Sequence, residues 1–156
     1  MGTNYFFRKR SLDLPRLEAI VDDLNNDFKA LIAKYNKKFH AAAAEMGLIE
    51  GCDFDVERTF VLPDRYDEYG DIHVGKFSHG WKPLMQANEH FTSLKTLKQW
   101  EEENRHDYTF IDEYSEEVSF EDYIVKLHER NQNPEYKWHG YHKCSDGFEW
   151  THMEFS

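Results

Sequence analysis

The sequence predicts an α+β fold: a single domain over residues 1–156, with an antiparallel β-sheet, one long N-terminal helix and two shorter helices. Three observations carry this. Apolar residues between Leu17 and Phe39 recur at steps of three and four. Elsewhere, short apolar runs of strand length are separated by Gly, Pro, Asn and Ser. No internal repeat, linker or low-complexity tract interrupts the chain.

Residues 5–8 alternate weakly and predict a short strand. Over 14–46, Leu17, Ile20, Val21, Leu24, Phe28, Leu31, Ile32, Tyr35 and Phe39 mark one face of a long helix. Pro15 suits its first turn and Gly47 its stop. Alanines at 41–44 permit close approach. This helix either packs on the domain or serves as an insertion or dimerisation element pairing with a second copy. Residues 58–62 predict a strand ending at Pro63, and 64–70 a charged turn. Residues 71–78 and 81–88 predict a hairpin about His79 and Gly80. A helix is expected over 93–105, with Leu94, Leu97 and Trp100 on one side. A strand is expected over 108–114. Ser119 and Asp122 form a capping-box variant that opens a helix ending near 130, before a break at 131–134. Residues 136–143 and 148–155 then predict a second hairpin.

Hydrophobic residues make up 40% of the chain and aromatic residues 16%, a composition that folds, with a core resting on rings. The formal net charge is −11, from 30 acidic and 19 basic residues. A field of that sign argues against generic nucleic-acid binding. It leaves room for a local basic pocket or for an acidic face that imitates nucleic acid. Cys52 and Cys144 are too few for a disulfide framework. The N-terminus lacks an apolar signal core, no stretch suits a membrane span, and Phe6 breaks the myristoylation pattern. The expected location is cytoplasmic.

The stretch HVGKFSHGW, residues 73–81, concentrates the candidate ligand-binding residues. Gly75 and Gly80 permit unusual backbone turns. Lys76 and Ser78 add a cation and a hydroxyl, which together with backbone amides cradle a phosphate as anion nests do. Trp81 or Tyr5 would stack on a base, with His73 and His79 flanking. The same residues also read as a purely structural hairpin, and the full phosphate-loop pattern is absent. His139, His142, Cys144 and His152 are residue types that zinc accepts. However, His139 and His142 are three apart and face opposite sides of a strand, so neither metal nor cofactor is assigned. The pairs Asp112-Glu113, Glu116-Glu117 and Glu121-Asp122 read as turn and cap residues. No nucleophile elbow, metalloprotease helix or deaminase signature occurs, which favours a non-enzymatic role.

Three segments, MGTNYFFR, IHVGKFSHGW and FEWTHMEFS, resemble a family of small uncharacterised phage and prophage proteins. Its members begin with Gly-Thr-Asn-Tyr, carry His-Ile-Gly-Lys-Ser-Ser-x-Gly-Trp and close with Gly-Glu-Phe-Ser. A looser SLxxW helix at 93–100 and the Asp-Glu-Tyr segment at 112–114 fall between them in matching order. Phe77 replaces the first serine of the central motif and Met153 the final glycine. The family's Cys-x-x-Cys pair is missing where the long helix stands. The resemblance implies a phage accessory product acting on host defence by binding. From the residues, the expected partner is a small phosphate-bearing ligand, nucleotide-like in character. The alternative is an acidic inhibitor of a host defence enzyme, and a weaker one is a metal-dependent hydrolase using His139, His142 or His152.

Overall fold

Strand β1, Gly2–Lys9, alternates Tyr5 and Phe7 with Asn4, Phe6 and Arg8, and it is paired along both edges. On one side lies β4, Tyr108–Asp112, and on the other β2, Ile72–Ser78. The sheet continues through β3, Leu84–Gln86, then β6, Glu149–Thr151, and β5, His142–Lys143, giving the order β4-β1-β2-β3-β6-β5. The structure, a computed structural model, describes residues 2–47, 62 and 69–155. The strand expected at 58–62, except residue 62, and most of the turn at 64–70 lie outside them. The pairings are antiparallel, as expected, except β3 with β6, which is parallel. β3 and β6 are joined by a long connection carrying two helices, and such crossovers allow parallel pairing.

One face of the sheet carries Tyr5, Phe7, Phe77, Met85, Phe110 and Trp150 against helices α2, Leu94–Asn104, and α3, Phe120–Gln132. The core is aromatic, as the composition predicts. Phe77 stacks on Tyr123 at 4.9 Å, and Phe7 meets Phe110 at 5.1 Å and Trp100 at 4.8 Å. Such ring pairs add about 0.5–1.5 kcal/mol each beyond their buried area. Ser93 caps α2 in a reciprocal box with Thr96. Asp146 reinforces that end, accepting from Leu94 N at 2.8 Å and from Trp150 Nε1 at 3.1 Å. Ser119 caps α3 by accepting from Asp122 N. That helix runs to Gln132 rather than ending near 130. Buried Lys82 donates its Nζ to the carbonyls of Asn131 and Asn133, serving the groups that a helix end leaves without partners.

The opposite face is unusually polar for buried residues. Arg8 holds Asp71 through Nε and Nη2 at 2.6 to 3.1 Å and Ser115 Oγ through Nη1 at 3.0 Å. The His73 ring lies between Phe6 at 4.8 Å and Phe155 at 4.7 Å.

The chain divides into two compact units, residues 1–12 with 65–156 and residues 13–64. The second unit contains α1, Leu14–Glu45, so the long helix enters as an excursion between β1 and β2. Asp13 caps it by accepting from Arg16 N at 3.0 Å, and Pro15 stands in the first turn. Among the described residues, no helix is long and apolar enough to cross a membrane.

Candidate functional site

The nine residues 73–81 divide between strand and turn. β2 takes His73 through Ser78, while His79, Gly80 and Trp81 make the turn, with Gly80 at φ 74°. Gly75 has both β3 and α3 close by. A Cβ there would stand 2.7 Å from Leu84 O, 3.2 Å from Met85 Sδ and 3.2 Å from the Tyr123 hydroxyl. Its lack of a side chain is therefore accounted for by packing. Tyr5 is taken up similarly, its ring meeting Tyr123 at 4.8 Å and Phe77 at 5.0 Å and stacking on Phe110 at 5.7 Å. Burial, aided by Asp112, pushes its phenol above the usual range, against the lowering effect of Arg130.

His73 is a packing histidine. Burial pushes its imidazole down to about 4, a shift opposed by its hydrogen bond to the Gly75 backbone and reinforced by the Lys76 charge. Its Nε2 is buried without a hydrogen-bond partner among the described residues. Lys76 and Ser78 do come together, at Gly2. A Cβ on that glycine would lie 2.5 Å from Ser78 Oγ and 2.7 Å from Lys76 Cε. They share a face with Asn4, whose backbone and side-chain nitrogens both donate to Glu113 Oε2, at 3.3 and 3.1 Å. His79 is exposed on the turn.

Trp81 leads to a second group. Its ring stacks on His139 at 4.9 Å and 23°. The turn and residues 137–139 are bound together by three contacts: Lys137 N to Gly80 O at 3.0 Å, Lys82 N to Lys137 O at 2.9 Å, and His139 Nε2 to Lys82 O at 3.0 Å. Next along the chain, Trp138 has Lys143 Nζ 4.3 Å and Lys82 Nζ 4.9 Å from its ring centre. Trp81 and Trp138 are each 38% exposed. Lysines over indole faces form cation–π pairs and keep the rings oriented.

Glu149 holds this loop in place. The side chain is part of β6 yet only 1% exposed. Its carboxylate accepts from His139 N at 2.8 Å, Gly140 N at 2.7 Å and Tyr141 N at 3.0 Å. Gly140, at φ 92°, supplies the left-handed backbone that lets three consecutive amides converge. This binding corrects the strand expected across 136–143: the amides turn toward one carboxylate, and only His142 and Lys143 are left to pair. Strand register places Asn4, Lys76, Leu84, Glu149 and Lys143 in one row across five strands. The lysine singled out at 76 and the loop at 139–143 thus lie on the same face of the sheet.

The four residues weighed as metal ligands have other places. His139 stacks on Trp81, His142 is exposed on β5, Cys144 Sγ lies 3.9 Å from Thr92 O, and His152 is exposed after β6. Burial and then Asp146 raise the Cys144 thiol. Among the described residues, no group of three or more His, Cys, Asp or Glu side chains is placed to hold a metal ion.

A separate cavity of about 330 Å³ lies between α2, β4 and the start of α3. Trp100, Tyr108 and Phe120 line it together with Arg10, Arg105 and three glutamates, at 101, 117 and 121. Arg105 is held by Glu101 at 2.9 Å, and Arg10 Nε donates to Arg105 O at 3.2 Å. The charges there offset one another, so the lining does not select an anion.

In sequence, residues 136–143, YKWHGYHK, read as a hairpin strand with candidate metal ligands and not as a binding surface. The available signal was eight residues without a carboxylate, aromatics interleaved with basic side chains, in a chain of net charge −11. Comparison with protein-family models, curated proteins and solved structures finds no match.

Proposed function

We propose that this protein is a non-enzymatic binder of a small phosphate-bearing, nucleotide-like ligand, taken up where the turn at Trp81 meets the loop at 137–143. The reading rests on one observation: two half-exposed indoles, Trp81 stacked on His139 and Trp138 beneath Lys143, stand on a protein of net charge −11. A base stacks on an indole for about 1–3 kcal/mol. Exposed Lys137 and Lys143 supply charge for phosphate, with Lys76 and Ser78 further along the same face. The carboxylate of Glu149 holds the loop in shape before a ligand arrives, which lowers the ordering entropy lost on binding. The resemblance to phage proteins supports a counter-defence role, in which the ligand is a cyclic or adenine nucleotide used by the host in signalling.

Isothermal titration against a panel of cyclic and adenine nucleotides tests this. Binding weakened by both Trp81→Ala and Lys143→Ala is expected. Absence of binding across the panel, or binding unchanged in both variants, overturns it.

A second reading, an acidic inhibitor of a host defence enzyme, is favoured by the exposed glutamates at 102, 103, 116 and 117. It predicts that the protein competes with DNA for a purified host nuclease, and that Glu102→Lys with Glu116→Lys abolishes the competition.

A further inference from the structure

We propose that α1 is a dimerisation surface, whose exposed apolar flank pairs antiparallel with α1 of a second copy of this chain. The apolar stripe of α1 has two flanks. Leu17, Val21 and Ile32 are half-buried. Ile20, Leu24, Leu31 and Tyr35 stand between 45% and 54% exposed, one to two turns apart on the adjoining flank. An apolar row at this spacing on a helix of 32 residues, about 48 Å long, is the seam by which helices pair.

The charge pattern identifies the occupant and its direction. Glu18, Asp22, Asp23 and Asp27 precede Phe28, and Lys29, Lys34, Lys37 and Lys38 follow it, with Arg16 and Glu45 near the two ends as the exceptions. A parallel pair would set like charges together, whereas an antiparallel pair sets each acidic half against a basic half. With a two-fold axis between Asp27 and Phe28, Ile20 lies opposite Tyr35 and Leu24 opposite Leu31, while Asp23 and Lys34, on one side of the seam, come within two residues of the same level. The seam is therefore self-complementary, as a two-fold interface requires. The helix dipole does not account for this arrangement. Its influence falls off within the first and last turns, and Asp22, Asp23, Asp27, Lys29 and Lys34 all lie deeper than that.

Sedimentation equilibrium of the full chain should give a dimer whose dissociation constant rises at least about tenfold in Leu24→Gln/Leu31→Gln, at half-exposed positions. Unchanged far-ultraviolet circular dichroism would show that the variant still folds. A second pair of variants probes the charges bordering the seam: Asp23→Lys/Asp27→Lys and Lys34→Glu/Lys38→Glu should each self-associate weakly and pair when mixed. Direction is read from nitroxide labels at position 18, expected about 28 Å apart or more across an antiparallel dimer, against roughly 10 Å in a parallel one. A monomer at millimolar concentration, a dimer indifferent to the leucine substitutions, or the short label distance would each overturn the proposal.

Discussion

Residues 73–81 and residues 136–143 present similar chemistry in sequence, with glycine, lysine, histidine and tryptophan in each, but the structure uses them differently. In the first stretch, Gly75 admits Leu84 O and the Tyr123 hydroxyl, and His73 is packed between two phenyl rings. Most of it is the interior of a central strand. In the second, consecutive amides close on Glu149, and the side chains of Trp138, Tyr141 and Lys143 are displayed outward. Composition does not distinguish a strand that needs glycine for close packing from a loop that needs it to turn. What distinguishes them is where the backbone hydrogen bonds go, to neighbouring strands in one case and to a buried carboxylate in the other.

The sharpest way to break this contrast is Glu149→Ala. It leaves three amides without their acceptor and should lower unfolding free energy by roughly 4 kcal/mol in a denaturant titration. Ligand affinity should fall with it, because the loop would no longer be ordered beforehand.

The pH response of His73 comes next. Its folded value of about 4 lies below the ordinary 6.5, so the unfolded chain binds a proton that the folded chain does not. This contribution is complete above pH 6.5 and is lost as pH falls toward 4, a change of roughly 3 kcal/mol. His73→Phe should flatten that segment of the stability profile. Retention of the full slope in the variant would assign the acid sensitivity to other groups.

Gly75→Ala follows, at roughly 2 kcal/mol, since the new methyl meets backbone oxygen at 2.7 Å and a strand must shift. A thermal melt as stable as the parent would mean that β2 and β3 part more easily than their packing implies. The smallest effect on folding belongs to Trp81→Ala, below about 1 kcal/mol, with a loss of nucleotide affinity of about tenfold or more.

The helices were the most legible elements. α1 and α2 could be read from three-and-four periodicity, Pro15 and Ser93, and α3 from Ser119, because caps and amphipathic faces are local signals. The hairpin about Gly80 was legible for the same reason. The parallel pairing of β3 with β6 was not, since its partners lie more than sixty residues apart and no local pattern marks them. Glu149 and Lys82 were also illegible. Charged residues are expected at the surface, and only the folded chain shows the amides and helix carbonyls that compensate their burial. Trp81 is legible in sequence for its residue type, but the His139 ring that stacks on it is brought there by the loop that Glu149 organises.

The four tryptophans, at 81, 100, 138 and 150, separate the readings most directly. Trp81 and Trp138 belong to the proposed surface, Trp100 lines the cavity, and Trp150 is buried against Asp146. Titration of the ¹⁵N-labelled protein with a cyclic adenine dinucleotide should move the indole resonances of Trp81 and Trp138 and leave those of Trp100 and Trp150 in place. Movement of Trp100 alone, or of none at millimolar ligand, would contradict the account.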